Sequence, residues 1–262
     1  MRPYPPSPST LMTSNITRAI VTGHTRGLGA ALAEQLLSRG IAVLALSRSR
    51  NTTLAQRFPQ TLEEVELDLA DPARVAQWIA GDAPGRFLSG ADSVLLFNNA
   101  GMVQPIGPLE GQDAGAIASA VSLNVATPLM LASAVAAASG AASDRRIVHI
   151  SSGAARNAYA GWSIYCATKA ALDHHARAVA LDANRALRIC SLAPGVVDTN
   201  MQAEIRASGE AQFPLREKFE ALKRSGQLSS PEQCATQLID FALSDAFGQA
   251  PVADIRELTQ QG

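Results

Sequence analysis

Read for its alternation of apolar and polar positions, the chain falls into short runs that are apolar nearly throughout, separated by longer stretches with helical spacing. The runs are "AIVTG" at 19–23, "IAVLAL" at 41–46, "LEEVELDL" at 62–69, "SVLLFNNAG" at 93–101, "RIVHISS" at 146–152 and "LRICSLAPG" at 187–195. Strands apolar on both faces are buried on both faces, as in a parallel sheet covered by helices on each side. The helical stretches fall at 27–39, 71–80, 111–138, 159–183, 200–224 and 231–243, each rich in Ala, Leu, Gln, Glu or Arg. Asp71 before Pro72 and Ser230 before Pro231 place a capping residue ahead of a proline, as helix starts commonly do. A last short run, "APVADIREL" at 250–258, adds an edge strand. The pattern predicts an α/β fold: one doubly wound domain with a mostly parallel sheet of seven strands.

Composition narrows the class of chemistry. The 262 residues are 47% hydrophobic and 17% charged, with a formal net charge of -1. That is enough for a sizeable core, and it lacks the basic excess that nucleic acid or an anionic membrane selects. No nucleic-acid or membrane partner is expected, and no apolar run approaches the roughly 20 residues of a transmembrane helix. The first 17 residues hold four prolines and no continuous apolar core, which reads as a flexible Pro-rich tail rather than a secretory leader, with Met12 as an alternative start. No linker or repeat divides the chain beyond the tail, so the domain is expected at 18–262. Cys166, Cys190 and Cys234 lack CxxC spacing, so neither a disulfide nor a metal site is expected, and a reducing cytoplasm is the expected location. Cys166 is expected in the core. The adjoining His174 and His175 point to different helix faces, at surface or interface positions. Small-molecule chemistry remains.

Directly after the first strand comes "TGHTRGLG", with glycines at 23, 27 and 29. Gly23 permits a tight turn, Gly27 lets the backbone approach a pyrophosphate, and Gly29 lets the helix pack on the strand, its N-terminus offering free N–H groups to an anion. Strand, glycine turn and helix stand in the order of a dinucleotide site, with G-x-x-x-G-x-G in place of the commoner G-x-G-x-x-G. The end of the second strand then selects between cofactors, because an acid there would bond a ribose 2′-hydroxyl and an arginine would accept a 2′-phosphate. The chain reads "SRSRN" from Ser47, with Arg48 and Arg50 and no acid before Glu63. With Arg26 in the turn, this favours NADP(H).

In "YCATK", Tyr165 and Lys169 are four apart and share a helix face. A free phenol has a pKa of about 10, and a cation about 4 Å away at an effective dielectric near 20 contributes on the order of 4 kcal/mol, roughly 3 pK units. Such a lysine would bring the phenol toward the working pH, as acid–base chemistry prefers. Ser152 closes the strand "RIVHISS", where an open α/β sheet presents its ligands; Ser151 is its neighbour and competitor. Asn124 lies inside a helical stretch, where a poor helix former suggests a kink or a buried water contact.

Taken together, "TGHTRGLG", "NNAG" at 98–101, Asn124, Ser152, "YCATK" and the Pro194–Gly195 turn resemble the short-chain dehydrogenase/reductase family, over Thr17 to Ile255. The details of "ISSGAARNAYAGWSIYCATK" and "APGVVDTNMQAEIR" are most similar to its sepiapterin reductase and benzil reductase group. The resemblance implies a Rossmann-type fold and an NADPH-dependent oxidoreductase that reduces a ketone or vicinal dicarbonyl to a hydroxy compound. It implies catalytic roles for Tyr165 as general acid, Lys169 lowering its pKa and binding the nicotinamide ribose, Ser152 orienting the carbonyl, and Asn124 holding a relay water. The implied cofactor contacts are Gly23, Thr25, Arg26, Gly27, Leu28, Gly29, Arg48, Asp68, Asn99, Ala100, Gly101, Tyr165, Lys169, Pro194, Gly195, Val197 and Thr199. It also implies a homodimer or homotetramer, a small-molecule carbonyl substrate and no metal. The alternative is a catalytically silent NADP-binding sensor or scaffold of the same fold. Trp162 walls the substrate pocket or belongs to the core. Met201, Phe213 and Phe219, after the Pro194–Gly195 turn, either close over a flat apolar ligand or pack a helical pair on the sheet edge.

Overall fold

The computed structural model describes residues 15–182, 184–210 and 212–258. The expected tail therefore lies outside the described residues except for its last three, and Thr17 already opens the first strand. In chain order the elements are β1 (Thr17–Thr22), α1 (Gly27–Ser38), β2 (Ala42–Ser47), α2 (Thr52–Arg57), β3 (Leu62–Glu66), α3 (Pro72–Ile79), α4 (Ala83–Leu88) and β4 (Ser93–Asn98). Next come α5 (Ala114–Val121), α6 (Thr127–Ala138), β5 (Asp144–Ile150), α7 (Ser163–Ala180), β6 (Leu187–Ala193), α8 (Asn200–Ala207), α9 (Arg216–Arg224), α10 (Pro231–Leu243), β7 (Val252–Asp254) and α11 (Ile255–Leu258).

The seven strands pair in parallel in the order β3-β2-β1-β4-β5-β6-β7. Side chains alternate across each strand, so Ala19 and Val21 join one apolar layer with Leu32, Leu36 and Leu238, while Ile20 joins the other with Leu131, Val135 and Ala176. Both faces of β1 are thereby buried, as its unbroken apolar run required. Capping follows the sequence: Asp71 accepts from the N–H of Ala73 and Arg74, and Ser230 exchanges hydrogen bonds with Gln233 in a capping box.

The structure departs from the expected elements in definite ways. The helix expected at 200–224 is two, α8 and α9, because Gly209 and Pro214 break it. Two short helices, α2 and α4, occupy stretches read as loop; α4 carries Pro84 and Gly85 in its first turn, where proline costs no hydrogen bond. The run at 250–258 is half strand and half helix, β7 and α11. The stretch expected as one helix at 111–138 starts at Ala114 and holds a single π-helical turn, Ser122–Ala126, between α5 and α6.

That continuous helical stretch, Ala114–Ala138, corrects the expectation that no run is long and apolar enough for a transmembrane helix. With a mean hydropathy of 1.6 it is long and apolar enough, by length and composition, to cross a bilayer. Its scattered Ser, Thr and Asn hide the run from the eye, but its alanines and lack of charge keep the average high. Here it lies along the sheet, packed on β4, β5 and α7.

Gly29 decides how closely α1 meets the sheet: a Cβ there would stand 2.0 Å from the Gly23 carbonyl oxygen and 2.5 Å from the Asn99 amide nitrogen. Gly85, in α4, has nothing within 4 Å of such a Cβ. Gly29→Ala should therefore cost at least ~2 kcal/mol of stability by overpacking, whereas Gly85→Ala should add ~0.5 kcal/mol through helix propensity and a stiffer unfolded chain. Urea denaturation of the two variants checks the contrast, and equal effects would contradict it.

Candidate active site

The chain leaves β1 toward β2 on one side and returns to β4 on the other, so a crevice opens at the carboxyl ends of β1 and β4. The glycine turn and "NNAG" meet there. The Thr22 hydroxyl accepts from the N–H of Asn99 and of Ala100, each at 2.9 Å, and the Asn99 amide donates to the carbonyls of Thr22 at 2.9 Å and Gly23 at 3.3 Å. Gly23 and Gly27 adopt φ of +73° and +55°, which favours glycine. A Cβ on Gly27 would come within 3.2 Å of the Thr199 methyl, so the glycine turn and the start of α8 face each other. Leu28 is buried beneath, and Thr25 is half-buried.

This cradle fits a dinucleotide. Helix α1 has no capping side chain and no acid in its first turn, which leaves its N–H donors and positive dipole end for a phosphate. Arg26 and Arg48 are exposed at the ends of neighbouring strands, and among the described residues neither has an ion-pair partner; Arg50 is instead paired with Glu66 at 3.0 Å. Asp68 stands apart at the end of edge strand β3, its carboxylate accepting from the Ala70 N–H at 3.0 Å. Sequence reasoning missed one support. Fully buried His24, inside the glycine turn, bonds Glu64 of β3, and Glu64 also accepts from the Asn51 N–H at 2.6 Å. The segment bearing Arg48 is thus tied to the turn.

Across the crevice, β5 and α7 assemble the other group. Tyr165 is 7% exposed and Lys169 4%. The Ser152 hydroxyl is near enough to the Tyr165 phenol to favour its ionisation, and it accepts from the Ala154 N–H at 3.2 Å. Lys169 donates from Nζ to the Ile150 carbonyl at 2.8 Å, with Nζ 5.7 Å from the centre of the Tyr165 ring. Asn124 sits in the π-helical turn and clamps Met102, accepting from its N–H at 2.9 Å and donating to its carbonyl at 2.8 Å. A Cβ on Gly101 would lie 3.2 Å from Asn124 Oδ1 and 3.6 Å from Lys169 Nζ, so these three converge. Gly195, at φ +76°, turns the chain after β6, and buried Val197 pairs with Ser229.

The electrostatics differ from the sequence expectation. Burial pushes the Tyr165 phenol up to about 12; the nearby Ser152 hydroxyl opposes this and the neighbouring Cys166 adds to it, and Lys169 is not among the groups that move it. The ammonium is turned to the Ile150 carbonyl. Burial also brings Lys169 itself down to about 8, against the pull of Asp173.

Trp162 stacks on Phe213 at 4.5 Å and meets Tyr165 edge-on at 5.3 Å, with Phe219 at 5.4 Å. Trp162, Phe213 and Phe219 are therefore a packed cluster holding α8 and α9 down on α7, and Met201 is half-buried against it. An open cleft of about 320 Å³ lies alongside, lined by Gln104, Ile106, Glu204, Ala207, Ser208 and Gln212. Cys166 is half-buried rather than in the core.

Beneath the site runs a chain of buried polar groups absent from the sequence reading. The Asn98 amide donates to the Pro128 carbonyl at 3.2 Å and to His149 Nδ1 at 3.1 Å, so His149 carries its proton on Nε2 and donates to His175 Nδ1 at 3.1 Å. His175 thus faces inward, not to the surface, while His174 is exposed.

The match to known sequences agrees with this arrangement. The family model described as short chain dehydrogenase matches residues 17–210. The chain belongs to the short chain dehydrogenase family. Members of that family are oxidoreductases that bind NAD(P). Among short chain dehydrogenases, this one is similar to benzil reductase ((S)-benzoin forming) of Bacillus cereus, 35% identical over 245 residues that cover 91% of this chain and 98% of the relative. It is also similar to sepiapterin reductase of Bos taurus, 29% identical over 245 residues, covering 88% and 91%. The crystal structure of a short-chain dehydrogenase/reductase from Burkholderia vietnamiensis superposes with a TM-score of 0.68 at 57% identity, covering 93% of this chain and 99% of that one.

His149 gives this short chain dehydrogenase a pH signature. Burial, then the charges of His175 and Lys169, bring its imidazole down to about 3. Above pH 6.5 both folded and unfolded chains hold it neutral; as pH falls from there toward 3, only the unfolded chain takes up the proton, and stability drops. His149→Gln should flatten the fall in unfolding free energy between pH 6.5 and 4, and an unchanged slope would contradict this reading.

Proposed function

We propose that this short chain dehydrogenase is an NADPH-dependent carbonyl reductase that converts a ketone or vicinal dicarbonyl to a hydroxy compound, with Tyr165 as general acid. The observation that carries the reading is the buried Tyr165 phenol, beside Ser152, one helical turn from Lys169 and across the crevice from the glycine cradle. With its pKa near 12 the phenol stays protonated at every working pH, as a proton donor must. The carbonyl oxygen becomes an alkoxide on reduction, a stronger base than a phenolate, so the proton moves downhill from Tyr165 Oη to that oxygen.

Ser152 Oγ donates to the same carbonyl oxygen and orients it. The Lys169 ammonium, over the Tyr165 ring, faces the phenolate that proton donation would leave. Asn124 fixes the Met102 backbone at the rim and would hold a water in a proton relay. When bound, NADPH supplies the hydride to the carbonyl carbon. Gly23, Thr25, Arg26, Gly27, Leu28, Gly29, Asp68, Asn99, Ala100, Gly101, Pro194, Gly195, Val197 and Thr199 would hold it, with Lys169 on the nicotinamide ribose. Arg48 and Arg26, exposed and without ion pairs among the described residues, are the groups suited to a 2′-phosphate.

The benzil reductase relative supports a vicinal dicarbonyl as the substrate class. Free Cys166, Cys190 and Cys234 support a cytoplasmic location, and a homodimer or homotetramer is the assembly that the family resemblance implies.

Tyr165→Phe should lower kcat by ~10²-fold or more, the worth of a positioned proton donor, while NADPH affinity stays within a few fold. Turnover near the parent rate would overturn the assignment. An aromatic 1,2-diketone should show a higher kcat/KM than a monoketone of similar size, and no advantage would reject the substrate class alone. Arg48→Asp should erase or reverse a preference for NADPH over NADH, measured as the ratio of the two kcat/KM values; equal use of both by the parent protein would refute the cofactor choice.

A further inference from the structure

Asp173 stands one turn after Lys169 and two turns after Tyr165 on the inner face of α7, and it is 1% exposed. Its Oδ1 accepts from the hydroxyls of Ser151 and Ser191, each at 2.7 Å. Its Oδ2 has no hydrogen-bond partner and lies 4.0 Å from Nε of Arg156. Arg156, whose side chain is 31% exposed, reaches 3.8 Å onward to Asp254, itself buried and held by Arg256 at 2.7 Å. A carboxylate so far from water is costly unless positive charge faces it. Two cations do so, Lys169 from its own helix and Arg156 from the loop after β5; the Cys190 thiol of β6 is the other titratable neighbour.

Lys169 in turn faces the Tyr165 ring, the Ile150 carbonyl, Asn124 and, from β5, His149, which burial keeps neutral. Among these groups Asp173 alone offers the ammonium a formal negative charge.

We propose that Asp173 is a positioning residue of the reductase: its buried carboxylate, hung from the Ser151 and Ser191 hydroxyls, holds Lys169 as the ammonium that the Tyr165 phenol needs. The role rests on the reading of Tyr165 and Lys169 given above. Burial takes Lys169 from 10.5 to about 8, and Asp173 is the charge that opposes the fall. Remove that charge and the amine is neutral at the pH where the reductase would work. Arg156 acts with the opposite sign, since its cation weakens the hold of the same carboxylate on Lys169.

The chain contains three lysines, Lys169, Lys218 and Lys223, so the protein labelled with ¹³C at lysine Cε gives three resonances to titrate. Lys169 should titrate near pH 8, about one pH unit or more lower in Asp173→Asn, and ~0.3 unit or more higher in Arg156→Gln. The alkaline limb of kcat/KM should move with it, so that Asp173→Asn loses about fivefold or more at pH 8 and less than ~3-fold at pH 6. A Lys169 midpoint unmoved in Asp173→Asn, a loss of activity equal at all pH values, or movement of both variants in one direction would overturn the role. Should Asp173→Asn not fold, Arg156→Gln decides alone, and no upward movement overturns it. A parent protein inactive on every carbonyl would count against the reductase reading and this role with it, whereas an active parent with an unmoved Lys169 refutes the role of Asp173 only.

Discussion

Where β1 ends, α1 comes so near that residue 29 has no room for a side chain against the Gly23 carbonyl. That approach brings the first turn of α1 over the end of the sheet, and the Asn99 amide and Thr22 hydroxyl bind the same corner from the β4 side. Everything else at the site is placed relative to it. Because β1 is flanked by parallel strands whose connections run off in opposite directions, no chain crosses above the corner, and a crevice is left for a ligand. Thr199, facing Gly27, brings α8 to its rim, and Gly101 leads from its floor to Lys169.

The second organising fact is that the candidate chemistry is buried before any ligand contact is counted. Burial acts on each ionisable group in the direction that removes its charge: the phenol rises, the amine and His149 fall. For His149 nothing opposes this, and it remains a neutral link between Asn98 and His175. For Lys169 a carboxylate one turn away does oppose it. On the proposed reading Tyr165 serves as the neutral acid and Lys169 as the cation beside it, with Asp173 opposing the loss of that charge.

Much of this was legible in the sequence. Apolar runs buried on both faces, alternating with helical stretches, specified a parallel doubly wound sheet, and the glycine turn, "NNAG", Ser152 and Pro194–Gly195 all fall where strands end. Tyr165 and Lys169, four apart on one helix, do share a face, and Asn124 does interrupt its helix. What was not legible depends on distant partners. Trp162, Phe213 and Phe219 could be read as pocket wall or as core, and only their stacking across α7 and α9 shows them packed together. The influence of Lys169 on Tyr165 was overestimated because a sequence shows spacing and not burial. The His24–Glu64 link and the Ser151–Asp173–Ser191 cluster join residues far apart in the chain. One signal was available: Asp173 continues the Tyr165–Lys169 face by another turn, and an acid there is worth noticing.

The central claim is that one crevice brings a nicotinamide cofactor and the Tyr165 proton donor to the same carbonyl, and the fate of the transferred hydrogen tests it most directly. The protein is incubated with an aromatic 1,2-diketone and NADPH deuterated at the transferable position of nicotinamide C4, and the product is analysed by mass spectrometry and NMR. The account predicts a hydroxyketone with one deuterium on its carbinol carbon. Oxidation of NADPH without deuterium in the product, or recovery of the diketone unchanged, would contradict it.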